Sequence, residues 1–151
     1  MGQTQRPLMQ HRSFPMSFDD FRLMNLSFSL NAGFKKKELV PIKTQINLAH
    51  KFDKKSRVLL IRLKVSLTKG EVPFFFEVES VGRFRFKELP DDNTIKTFSM
   101  INCPAIMFPY VRETIADITR RAGFRPLHLA PINFVALDRK HKGEIEQKSK
   151  K

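Results

Sequence analysis

Four histidines, His11, His50, His128 and His141, and one cysteine, Cys103, are the residues of this 151-residue chain best equipped to ligate a metal or attack a substrate. Metal sites need such ligands at short, repeated spacings. Here they fall in an N-terminal arm, a strand end, a proline-bounded connection, a tail and beside Pro104, with no ligand spacing among them. A cysteine nucleophile needs a base or cation to expose its thiolate. Cys103, set next to Pro104 in an apolar stretch, reads as a packed side chain instead. The six glycines are scattered and build no phosphate-cradling loop, and no serine sits in a nucleophile elbow. The expectation is therefore a protein that is not an enzyme, with no catalytic residue, no metal ligands and no cofactor. A lone cysteine cannot close an internal disulfide, so nothing points to an oxidising compartment.

Charge is the next candidate for chemistry. The net charge is +13, and just over half of it sits in residues 42–69, where Lys43, Lys51, Lys54, Lys55, Arg57, Arg62, Lys64 and Lys69 face one acid, Asp53. Such a concentration raises the local density of anions and could hold phosphate backbones without sequence preference. The plainer reading is a solvated hairpin face that attracts acidic protein. Base readout comes with helix, finger or stacking signatures, and none is visible here.

The elements that carry these residues follow from periodicity. At 17.6 kDa, with 41% hydrophobic and 28% charged residues, the chain suits one globular domain. Residues 1–16 read as a mobile basic arm, without the apolar core of a signal peptide. The longest apolar runs are far shorter than the roughly 20 residues that span a bilayer. These features predict a cytoplasmic protein with no membrane partner.

From there to about residue 87 the period is two, the mark of strands. Met24, Leu26, Phe28 and Leu30 alternate with Asn25, Ser27 and Ser29. Ile42, Ile46 and Leu48 share a face of a second strand. Leu59, Ile61, Leu63, Val65 and Leu67 mark a third, and Phe74, Phe76, Val78, Phe84 and Phe86 a fourth. Short connections join most of them, which implies an antiparallel sheet. Past residue 93 the spacing predicts a short helical piece, broken at Asn102-Cys103-Pro104. A main helix is expected from Pro109, which suits a first turn, to Gly123, which suits a C-terminal cap. A second helix is expected near Asn133, fraying into a polar tail over 138–151. The organisation is thus an arm at 1–16, a domain at 17–137 and that tail.

Fifteen phenylalanines, against one tyrosine and no tryptophan, supply apolar surface that needs no hydrogen-bond partner. Phe74, Phe75 and Phe76 put rings on both faces of one strand. Two helices cover one face of a sheet, so the second must meet solvent, another subunit or a client. A homo-oligomer is expected.

The stretch Asn102-Cys103-Pro104-Ala105-Ile106-Met107-Phe108-Pro109-Tyr110-Val111-Arg112-Glu113, continued by Gly123-Phe124 and Leu129-Ala130-Pro131-Ile132-Asn133-Phe134, resembles the SecB family of protein-export chaperones. A weaker likeness runs back through Phe74-Phe75-Phe76-Glu77-Val78 and Gly82-x-Phe84. The resemblance implies an α+β fold: a four-stranded antiparallel sheet with two helices packed on one face. It also implies a tetramer built as a dimer of dimers, and apolar grooves that hold unfolded or extended client polypeptides. Carried over residue by residue, it makes Phe74, Phe76, Val78, Phe108, Leu127, Leu129 and Phe134 the client groove. It makes Phe75, Glu77, Asn25 and Ser29 the face that would meet the translocase motor SecA. Export members carry acidic residues on the first strand, where Asn25 and Ser29 are neutral, and the net charge here has the opposite sign. The functional expectation is a chaperone that keeps polypeptides export- or assembly-competent. The alternatives are a dedicated chaperone of an antitoxin in a toxin–antitoxin system and, from another class, a basic nucleic-acid-binding protein.

Overall fold

A computed structural model describes residues 15–35 and 39–149. Four strands, β1 (Met16–Leu30), β2 (Gln45–Asp53), β3 (Val58–Leu67) and β4 (Phe74–Phe86), form one antiparallel sheet in the order β1-β4-β3-β2. Alternation dictates what each face carries. On β3 and β4 the residues Leu59, Ile61, Leu63, Val65, Phe76, Val78 and Phe84 are all buried, while Arg62, Arg83 and Arg85 point the other way and are exposed. The turn between β2 and β3 is closed by Arg57 at φ 59°.

Met16, expected in the arm, belongs to β1. Met16 is buried, its Sδ lies 3.6 Å from the Cys103 Sγ, and the Lys87 N–H donates to the Pro15 carbonyl at 3.1 Å. Residues 1–14 lie outside the described part. β1 also departs from simple alternation, because bulges interrupt its pairing between Phe18 and Asp20 and between Leu23 and Asn25. Each bulge absorbs one residue and shifts the face that follows. Phe18, Phe21, Leu23, Leu26, Phe28 and Leu30 therefore all lie opposite inward positions of β4, and Met24 leaves the stripe.

One helical rod crosses the inner face. It comprises α1 (Asp92–Thr97), a π-helical turn (Phe98–Asn102) and α2 (Cys103–Arg121), with right-handed helical backbone through both junctions. The expected break at Asn102-Cys103-Pro104 is instead a widened turn. Pro104 has no N–H to give the Met100 carbonyl, and its ring would collide with that carbonyl in α geometry. The chain opens by one residue, so that the Cys103 N–H reaches back to the Phe98 carbonyl. The main helix thus starts at Cys103, with Pro104 in its first turn and Pro109 inside it. The rod packs closely because Gly82 of β4 leaves room: a Cβ there would stand 2.7 Å from the Met107 Sδ.

Gly123, at φ 92°, ends α2 as expected, with Phe124 N–H bonded to the Thr119 carbonyl at 3.1 Å and Gly123 N–H to Arg120 at 3.0 Å. The buried Thr119 hydroxyl then accepts the Leu127 N–H at 2.9 Å, pinning the connection that follows. Asn133 caps α3 (Phe134–Ser149) by accepting the Ala136 N–H at 3.0 Å. The expected polar tail is helical to Ser149. Lys142 pairs with Asp138 one turn earlier at 3.1 Å, and Glu, Gln and Lys are good helix formers. Losing the cap in Asn133→Ala is expected to cost about 1 kcal/mol, read from the urea midpoint.

Candidate functional site

The rod covers β3 and β4 but reaches β1 only at one end. There Tyr110 lies over Phe18 and Phe21, with ring centres 5.9 and 5.0 Å apart. Beyond Phe21 the inward side chains of β1 lose their cover: Leu23 is 46% exposed, Leu26 39% and Leu30 62%. Phe28, between the last two, is half-buried against Phe74 at 5.4 Å. Phe74 in turn meets Phe124 edge-on at 5.0 Å. A run of rings therefore joins the open strip of β1 to the connection after α2, where Leu127 is half-buried and pinned by Thr119. Among the described residues β1 is also an edge strand, hydrogen-bonded to β4 alone, so its other edge offers backbone donors and acceptors without partners there.

Such a surface can bind by apolar burial, which is non-directional and tolerant of sequence. Of the residues expected to form a groove, Phe74, Phe76, Val78, Phe108, Leu129 and Phe134 are buried in this single chain. Five of these six divide into two groups. Phe74, Phe76 and Val78 lie opposite Leu30, Phe28 and Leu26 of the strip, whereas Phe108 and Phe134 meet each other edge-on at 6.1 Å. The residues that offer accessible surface are Leu23, Leu26, Leu30 and Leu127.

The expected motor-facing residues do come together, on the helix-free face. Strand register sets Asn25 beside Glu79, Ser27 beside Glu77 and Ser29 beside Phe75. Asn25 and Ser29 are exposed, and Phe75 and Glu77 half-buried. Glu77 is already held by Lys64 at 3.2 Å, and Glu79 by Arg62 at 3.1 Å.

Burial pushes the Cys103 thiol up to about 12, so it supplies no thiolate near neutral pH. The unfolded chain, with its thiol near 9.0, releases that proton first. This contribution to stability is thus intact below pH 9 and is lost as pH rises toward 12. Urea midpoints measured across that range should fall more steeply for the native chain than for Cys103→Ala. Among the described residues no cluster of His, Cys, Asp and Glu could hold a metal ion, and no helix is long and apolar enough to cross a membrane.

Residues 21–144 match the family model described as preprotein translocase subunit SecB. A protein-export protein SecB of Acidithiobacillus ferrooxidans is 41% identical over 78 residues, 51% of this chain and 52% of its own. One from Burkholderia vietnamiensis is 41% identical over 81 residues, 54% of this chain and 50% of its own. The chain thus spans about half the length of the curated relatives it matches. Among solved structures, a SecB-like chaperone of Mycobacterium tuberculosis, in complex with a ChAD peptide from an antitoxin, superposes with a TM-score of 0.68. That match covers 78% of this chain and 91% of the other at 17% identity, a likeness of fold. It agrees with the sheet and helices expected from the sequence.

Proposed function

We propose a function from one premise: the chain belongs to the SecB family, whose model matches residues 21–144. It acts as a molecular chaperone that binds unfolded or extended polypeptides, and its chemistry is burial, not catalysis. The observation that carries this reading is the uncovered strip Leu23, Leu26 and Leu30, on an edge strand beside Phe28 and Phe124. A folded protein leaves aligned leucines exposed at some cost to itself, and a ligand that covers them recovers about 25 cal/mol per Å². The test is titration with a reduced, alkylated and therefore permanently unfolded protein at low and high salt. Affinity that hardly changes with salt supports apolar binding. A loss of the order of 10³ between 50 and 200 mM would instead mark the phosphate-type contacts of a nucleic-acid binder.

The free edge of β1 suits a second copy of the chain, and the homo-oligomer we propose is a tetramer, a dimer of dimers. Light scattering should give a mass near four chains at micromolar concentration; a monomer there removes this part. The client groove then opens beside the connection, floored by Phe74, Phe76 and Val78, with Phe108, Leu129 and Phe134 holding the connection in place.

A second reading is favoured by the helix-free face. Neutral Asn25 and Ser29, together with Glu77 engaged by Lys64, leave little free negative charge for a motor protein there. Duty toward an antitoxin, the role suggested by the peptide bound to the Mycobacterium tuberculosis chaperone, needs no such contact. Calorimetry against SecA is expected to detect no submicromolar binding; tight binding would favour general export.

A further inference from the structure

The helix-free face carries a second surface, away from the strip on β1. Near Glu77 and Glu79 its charges are paired across β3 and β4. Toward the β2–β3 hairpin the pairing stops. Lys51 on β2, Leu60 on β3 and Arg83 on β4 stand abreast, and neither cation makes an ion pair with a described residue. The carboxylates around them are occupied. Asp20, opposite Arg83, takes the Arg22 guanidinium at 2.7 Å. Asp53 accepts the Ser56 hydroxyl at 2.7 Å and the Lys55 N–H at 3.3 Å, and these bonds, with a smaller through-space attraction from Lys51, hold its carboxyl below the usual range. A cavity of about 500 Å³ opens here, floored by Val58 and Leu60 and flanked by Lys51 and Arg83.

We propose that this pocket docks an acidic peptide of the pattern acidic-x-apolar-x-acidic, held in extended form. Its apolar side chain sits on Val58 and Leu60, and its carboxylates pair with Lys51 and Arg83. The spacing suits it. Strands about 4.8 Å apart place the two cations' backbones roughly 10 Å from each other, and long side chains extend that reach. Alternate residues of an extended peptide project from one side, so both acids and the apolar residue face the pocket together. Lys54 and Lys55 at the hairpin tip add long-range attraction. A nucleic acid fits less well. Its bases need exposed rings for stacking, whereas the floor is aliphatic and the Phe52 ring is engaged edge-on by Phe86 at 6.0 Å. The site goes beyond the chaperone reading and stands or falls separately from it.

The test uses the full chain and a fluorescein-labelled synthetic peptide containing Asp-Gly-Leu-Gly-Asp, followed by anisotropy. Saturable binding is expected, lost when both Asp residues of the peptide become Asn. The double variant Lys51→Ser, Arg83→Ser should weaken it about tenfold or more, since two charge-assisted contacts go. Leu60→Ser should weaken it about threefold through lost apolar area, and Lys140→Ser on α3 should change nothing. Circular dichroism confirms that each variant is folded. The proposal is overturned if the peptide does not bind or if the double variant binds it as well as the native chain does. A single-stranded RNA oligonucleotide binding in place of the peptide would overturn it too. So would displacement of the peptide by unfolded protein, which would make the two surfaces one.

Discussion

Replacing both Leu26 and Leu30 by aspartate is expected to lower affinity for an unfolded client by about a hundredfold while leaving the chain folded. Full burial of a leucine is worth about 1.5–3 kcal/mol. Leu26 and Leu30 are 39% and 62% exposed before any client arrives, so only part of that remains to be gained. Scaled by exposure, that leaves about 0.6–1.2 kcal/mol for Leu26 and about 0.9–1.9 kcal/mol for Leu30, and the cost of setting a carboxylate against an apolar client brings the total to about 2.8 kcal/mol, two powers of ten. The fold survives because neither leucine is enclosed by the core, and aspartate on a half-open strand keeps its water. Phe134→Asp is a different experiment. Phe134 is buried against Phe108, so a carboxylate there would lose its hydration with no partner and disrupt packing before any client is offered. Lys54→Glu, at the hairpin tip, should alter salt dependence and association rate, with a small effect on apolar affinity. The measurement is anisotropy of labelled, alkylated protein titrated with each variant at two salt concentrations. Unchanged affinity in the folded Leu26→Asp, Leu30→Asp chain would remove the strip from the binding site.

The contrast between Leu30 and Phe134 also shows how far the sequence could be read. Period-two alternation placed the inward residues of β3 and β4 correctly, since both strands pair on both sides and keep strict register. On β1 it held for Leu26, Phe28 and Leu30 but misplaced Met24, because the bulge between Leu23 and Asn25 changes which residues share a face, and no residue type announces a bulge of this kind. Prolines misled the helix boundary for a related reason. Pro104 and Pro109 each suit a first turn, and only the π turn, a response to the missing N–H of Pro104, selects between them. Asn133 and Gly123 were legible as caps because their chemistry is local. The groove was legible only by resemblance and only in outline. A pattern gives the direction of a side chain and not its depth: Phe76 and Phe108 face inward as expected, and both are buried in the single chain. Depth depends on where the rod ends over the sheet, a property of packing between segments distant in sequence.

That packing can be tested at its closest point. Gly82→Val is expected to destabilise the chain by about 3 kcal/mol, toward the upper end for overpacking a filled core. A Cβ at residue 82 would meet the Met107 Sδ at 2.7 Å, the Phe84 ring at 2.9 Å and the Met107 Cγ at 3.1 Å, and a valine adds two methyls beyond it. Met107 is fully buried and cannot swing into solvent, so either it is forced off its rotamer or α2 lifts from the sheet. Met107→Ala alone opens a cavity, at a cost of about 2–5 kcal/mol. In the double variant the valine fills part of that cavity, so the two costs should fall short of their sum by about 1–2 kcal/mol. Urea titrations of the four chains give that coupling directly. Additive costs would mean that Gly82 and Met107 do not share a contact. A rod lifted from β4 must also change the cover that Tyr110 gives Phe18 and Phe21 of β1. If Gly82→Val stays folded, it should therefore bind the unfolded client with altered affinity although residue 82 is buried and touches no client. The spacing that stabilises the core is then the same spacing that sets how much of β1 is left open.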